Sequence, residues 1–217
     1  MALDAEVWGA AQLSLALSAV AVFIAAIPGI PLGALLGLSR SRASDALVIV
    51  ARVGMATPTV IVGLLVYGLL SRRGPLGSFD LLYSPQAIIA GEVLLAFPLV
   101  VALGASSVAS LDPRFRETIK LLRIGRARAS LLAVRDAREG FLAALLVAFA
   151  RCVGELGVAL LVGGNLRGST RTLTTSIALE TSRGEFERAV TLGVVLLVLA
   201  LGVNATVAIL FRAGRSS

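Results

Sequence analysis

Histidine is absent from this 217-residue sequence, and cysteine occurs once, as Cys152. One thiol allows no disulfide framework, and without histidine it leaves no zinc or haem site of the usual kind. The commonest general acid or base is missing too. No phosphate-binding loop of the G-x-x-x-x-G-K-[ST] type, no G-x-S-x-G elbow and no H-E-x-x-H pair is present, so the chain has no P-loop for ATP and no familiar hydrolase centre. Charge is scarce: 15% of residues carry it, against about 25% in soluble domains, too few to coat a surface facing water.

What is there is apolar. The hydrophobic fraction is 57% and the mean hydropathy is +0.93. The apolar residues form continuous blocks, not the alternating strands of about ten residues that build a membrane barrel. A helix crosses the hydrocarbon core with about 20 apolar residues. The sequence predicts five such spans, at about 10–38, 47–71, 85–111, 140–164 and 189–211. The fold class is therefore all-α, a polytopic membrane protein, with a transmembrane domain over residues 10–212 and a long loop at about 112–138. Asp4 and Glu6 stand where a cleavable signal would be positive, so the first block is read as a span.

The net charge of +7 fits cytoplasmic loops rather than nucleic acid, which is not expected as a partner. Twelve basic residues fall on the side of the first loop, the third loop and the C-terminus, and six on the other side. The positive-inside rule then sets the N-terminus outside and the C-terminus in the cytoplasm of a cell-membrane protein.

Four segments stand out. In the loop at 112–138, Leu111, Phe115, Ile119 and Leu122 share one helical face opposite Arg116, Lys120 and Arg123. Gly125 then separates a second basic stretch bearing Leu131, Leu132 and Val134. Two amphipathic helices result, which either rest on lipid headgroups or dock a cytoplasmic protein. In the fourth span Arg151 and Glu155, four apart, share a face, as a structural ion pair or as the lining of a hydrophilic path. Glu92 is a further partner for Arg151, and Arg52 has the reach to snorkel to the interface. Gly29, Gly33 and Gly37 repeat a close-packing spacing, and Pro28 and Pro31 predict a kink or break. Finally, Gly163, Gly164 and Asn165 end the fourth span and lead into Ser169, Thr170, Thr172, Thr174, Thr175 and Ser176. These form either a solvated loop with a capped re-entry helix or a set of uncharged donors that hold an oxyanion in passing.

The run from Ala150 to Gly157 (A-R-C-V-G-E-L-G), followed by Gly163-Gly164-Asn165, resembles permeases of ABC importers for sulfate, molybdate and tungstate. The stretches Gly168–Thr181, Gly63–Tyr67 and Leu70–Gly77 are most similar to the tungstate branch. The resemblance covers about residues 10 to 210 and implies a type I importer permease of MetI-like fold. It also implies a coupling loop in which Gly125 takes the place of the family's glycine. Glu117 stands at the acidic start of that motif, but counting back from Gly125 puts Ile119 there. Glu117, Ile119, Leu122, Gly125 and Arg126 are thus the residues expected to couple to an ATPase. Arg151, Glu155, Gly163, Gly164, Asn165, Thr172, Thr174 and Thr175 are the pathway or structural candidates.

The implied partners are a second copy of the chain, two ATPase subunits that hold the ATP and magnesium, an extracytoplasmic binding protein, and lipid. The chain itself is expected to bind no cofactor or metal and to catalyse nothing alone. Molybdate or sulfate are the alternative cargoes. A standalone secondary transporter or channel would have only Arg52, Glu92, Arg151 and Glu155 to couple ions, and it leaves the basic loop without a role. The orientation predicts that a reporter enzyme fused after Ser217 is active only when it requires the cytoplasm; activity confined to the outside reverses it.

Overall fold

A computed structural model describes residues 2–39, 41–121 and 124–215. Ten α-helices are assigned there, with one short 3-10 turn at Gly77–Phe79 and no strand among the described residues. Helix α1 (Ala2–Leu38) is continuous. Of the kink or break expected at Pro28 and Pro31, the break does not occur. Inside a bilayer-length bundle the neighbouring helix packs along this stretch, and membrane helices tolerate proline where neighbours compensate for the lost hydrogen bonds.

The neighbour is α4 (Pro85–Ala109), the axis of the fold. It packs against α1, α2, α3, α7 and α8. Its N-terminus is fixed by Ser84, whose hydroxyl accepts the Ala87 N–H at 3.3 Å, with Pro85 in the first turn, where no N–H is needed. The three glycines of α1 lie along α4. A Cβ on Gly29 would stand 2.9 Å from Val100, on Gly33 3.0 Å from the Val101 carbonyl, and on Gly37 2.6 Å from the Ala105 carbonyl. The small-residue spacing is thus a helix–helix seam.

Two of the expected spans are bent. Residues 47–71 divide into α2 (Arg42–Met55) and α3 (Thr59–Leu70), at 96° to each other. Pro58 has no N–H to continue the helix and disfavours helical geometry at Thr57. Residues 140–164 divide into α7 (Arg138–Val153) and α8 (Gly157–Gly163), bent by 57° around Gly154, Glu155 and Leu156. The two breaks meet: a Cβ on Gly157 would lie 2.9 Å from the Thr59 hydroxyl, and one on Gly63 3.3 Å from the Val158 Cα. Three helices, α1, α4 and α10 (Phe186–Arg215), are long and apolar enough to span alone, and the two bent pairs bring the number to five.

Between α4 and α7 lie α5 (Pro113–Leu121) and α6 (Arg126–Asp136). Between α8 and α10 lies α9 (Leu173–Ser182). Thus α5 and α6 sit at the end of the bundle where α1 finishes, and α9 sits near the end where it starts. Helix α10 packs on α9 and touches α7, and leaves Val190, Val194, Leu197, Val198 and Leu201 bare, as lipid-facing positions are.

Gly37→Ala pushes a methyl into a neighbouring backbone and should cost about 1–3 kcal/mol. Gly9→Ala, with nothing within 4 Å of the added atom, should leave the thermal midpoint in detergent unchanged or raise it. Equal midpoints for the two variants would dismiss the seam.

Candidate functional site

At the α5–α6 end, the elbow is fastened to the bundle by its inner face. Phe115 of α5 packs on a cluster of Ala34, Val108, Ala133, Ala137 and Phe141, joined by Leu111 and Val134. Helix α6 turns Ala129, Ala133 and Ala137, spaced by four, towards α1. These alanines, not Leu131 and Leu132, form its buried stripe. Alanine carries little hydrophobic signal, so sequence periodicity pointed at the leucines instead. Leu131 is 70% exposed and Leu121 83%. Glu117 and Arg126 are exposed, and Ile119 is half-buried; Leu122 lies outside the described residues. Gly125 precedes α6 with φ −64°, and a Cβ there would meet nothing within 4 Å. Nothing in the packing of the described residues asks for glycine at this position.

Midway along the bundle, the pairing expected of Arg151 and Glu155 is not formed. Four-residue spacing places two side chains together only on an unbroken helix, and α7 ends at Val153. Arg151 is exposed and makes no ion pair among the described residues. Glu155 turns inward, 4% exposed. Its Oε1 accepts the Val158 N–H at 3.0 Å, satisfying one of the free N–H groups that open α8. Its carbonyl accepts the Thr174 hydroxyl at 2.8 Å. Glu92 is not a partner for Arg151 either. It is buried on α4, its carbonyl receives the Cys152 thiol at 3.7 Å, and its Oε2 and the Ser18 hydroxyl have no hydrogen-bond partner among the described residues.

At the other end, α8 stops at Gly164, whose φ of +68° favours glycine. The Tyr83 ring covers it, and the Tyr83 N–H reaches the Val162 carbonyl at 2.8 Å. Of the hydroxyls that follow, Ser169 is half-buried, and those of Thr170, Thr172, Thr174, Thr175 and Ser176 are buried and turned to the chain itself. Thr170 donates to the Gly163 carbonyl and accepts the Leu166 N–H. Thr172 and Thr175 form a reciprocal cap on α9. The Thr172 and Thr174 hydroxyls lie 2.9 Å apart, and Ser176 donates to the Thr172 carbonyl at 2.7 Å. Across the bundle, Ser14 of α1 accepts the Leu173 N–H at 2.9 Å. The capped re-entry helix expected from the sequence is α9; its Thr174, Thr175 and Ser176 are buried, while Gly164, Leu166, Arg167 and Gly168 of the turn before it are exposed.

Sequence reasoning missed the groups that hold this end to α1. Glu6 accepts from Arg167 at 2.9 Å and from Arg171 at 2.8 Å. Arg171 also donates to the Asn165 side chain at 3.2 Å. Some 160 residues separate the partners, and no local pattern records such a contact.

A bent, all-helical bundle with an amphipathic elbow on one end and a fastened re-entrant turn on the other is the frame of a membrane permease. Residues 29–215 match the binding-protein-dependent transport system inner membrane component family, and the chain belongs to it. It is 40% identical over 198 residues to a probable anion ABC transporter permease protein of Haloferax volcanii, covering 89% of this chain and 85% of that one. It is 38% identical over 204 residues to the tungstate uptake system permease protein TupB of Peptoclostridium acidaminophilum, covering 94% and 90%. A crystal structure of an amino acid ABC transporter superposes with a TM-score of 0.69 at 18% identity, covering 97% of this chain and 94% of that one, and shares the fold. The chain is a multi-pass membrane permease of the ABC importer class, a class that works with an ATPase and a substrate-binding protein.

Glu155→Ala leaves a buried N–H without its acceptor and should cost about 1–3 kcal/mol, while Glu155→Gln keeps an acceptor oxygen and should recover most of it. Chemical denaturation in detergent reads both. An ion pair with Arg151 would instead make the two variants equally unstable.

Proposed function

We propose that the chain is the permease subunit of an ATP-driven importer of tungstate. Two copies enclose the pathway, two ATPase subunits dock on the α5–α6 elbows, and a binding protein delivers the oxyanion at the opposite end. This sets α5, α6 and the C-terminus in the cytoplasm and the α8–α9 turn outside. ATP and magnesium belong to the ATPase subunits, and this chain supplies levers and a path.

The elbow carries the reading. It is joined to α1, α4 and α7 through Phe115, Ala133 and Phe141, so a push on it reaches two spanning helices and one half of a bent pair. Each of its two helices keeps a leucine bare, Leu121 on α5 and Leu131 on α6, and a Cβ on Gly125 would meet nothing within 4 Å among the described residues. Bare leucines and a backbone open to close approach in one elbow suit a protein surface that docks there. A rigid-body change driven by such docking is a known form of two-state switch. The oxyanion is supported by the relatives' names: an anion permease at 40% identity and a tungstate permease at 38%. Molybdate is the alternative cargo.

In proteoliposomes holding the complex, binding protein loaded with tungstate should stimulate ATP hydrolysis more than binding protein loaded with molybdate. Leu121→Asp should reduce that stimulation by about tenfold or more, the scale of losing an interface anchor, without lowering the basal hydrolysis of the ATPase. Full coupling in Leu121→Asp defeats the docking face, and preferential stimulation by molybdate reassigns the cargo.

A further inference from the structure

We propose that Arg167 and Arg171 form a seat for a tetrahedral oxyanion at the α8–α9 end of the bundle, and that the Glu6 carboxylate occupies this seat when no anion is there. The inference rests on reading that end as the entrance for an oxyanion.

The two guanidiniums converge on one carboxylate, each on its own oxygen: Arg167 Nη2 on Oε2 at 2.9 Å and Arg171 Nη1 on Oε1 at 2.8 Å. Two positive charges thus face one negative charge, and the cluster keeps a positive excess. A carboxylate bridging two guanidiniums presents two oxygens, as one edge of a tetrahedral oxyanion does.

Arg171 is aimed independently of Glu6. Its Nε donates to Asn165 Oδ1 at 3.2 Å and its Nη2 reaches the Asn165 carbonyl at 3.5 Å, and its side chain is only 18% exposed. Asn165 holds this posture from a left-handed turn, φ +52°, a conformation asparagine tolerates better than most residues. The seat is therefore built before any ligand arrives, which lowers the cost of binding.

Beside the ion pairs lies a cavity of about 400 Å³, with Gly9, Gly168 and Ser169 on its wall. A Cβ on Gly9 or Gly168 would meet nothing within 4 Å, so room for an anion adjoins the guanidiniums. A dianion brings more charge than the carboxylate it displaces, and Glu6 competes with it throughout. The result is a weak seat with rapid release, suited to a solute that has to move on.

The test is equilibrium dialysis of the purified full-length chain in zwitterionic nanodiscs against sodium tungstate, molybdate, sulfate and phosphate. Glu6→Gln keeps the shape and removes the competitor. It should bind a tetrahedral oxyanion about tenfold more tightly than the parent, the scale of one charge-assisted contact. Adding Arg167→Gln should return the affinity to the parent's or below. Arg167 is 71% exposed, so the single variant Arg167→Gln should fold and bind still more weakly than the parent, which keeps the seat testable if Glu6→Gln does not fold. Equal affinity in parent and Glu6→Gln, or tightened binding that survives Arg167→Gln, overturns the seat. Tightened binding of sulfate or phosphate without tungstate supports the seat and counts against the tungstate reading instead. Loss of tungstate-driven hydrolysis with the binding pattern intact likewise falls on the transport reading alone.

Discussion

A backbone that leaves helical geometry where protein buries it has to find hydrogen-bond partners within the chain, because no water is at hand. Three places in this permease meet that demand. At the α7–α8 break, Glu155 accepts an N–H of the next helix and its carbonyl takes the Thr174 hydroxyl. At the end of α8, Thr170 bonds both the Gly163 carbonyl and the Leu166 N–H. At the start of α9, Ser14 and the Thr172–Thr175 cap take up the opening N–H groups. Residues that read as pathway chemistry are fasteners first, and the shape of the re-entrant turn follows from them.

Packing has a similar economy. Helix α4 is the common wall, and small residues bring the others against it: the glycine seam from α1, Gly104 beneath Phe141, and Gly91 beneath Val158. On the outside the same smallness recurs in α6, whose alanines let it lie close to α1. The attachments that carry a push from the elbow are apolar contacts; at the opposite end an apolar cluster of Ala10, Ala11, Leu173 and Leu192 is supplemented by ion pairs and hydrogen bonds.

Much of the architecture was legible before any coordinates. Uncharged stretches such as Val7–Ser39 mark the spans because charge cannot be left in hydrocarbon, and the loop's amphipathic period marks α5 and α6. The bend at Thr57-Pro58 was written in the sequence but lost inside an otherwise apolar run. The Arg151–Glu155 pair failed because spacing of four means contact only on a continuous helix, and the flanking Gly154 and Gly157 weakened that premise. The Glu6 clasp was not legible at all. It depends on which loop returns to the start of α1, and that is a property of the whole bundle.

The two bends have a mechanical corollary. A straight rod that spans a membrane carries any tilt from one face to the other, but a rod cut in two is a joint. Here both joints lie against each other, so α3 and α8 form a short paired block, while α2 and α7 lean on α4 from the opposite half. The molecule consists of two storeys sharing a floor, and only α1, α4 and α10 run through both as unbroken pillars. Rotation of the lower storey reaches the upper one through those pillars and through the two joints, and a joint that bends leaves the paired block able to keep its own internal packing as the halves turn.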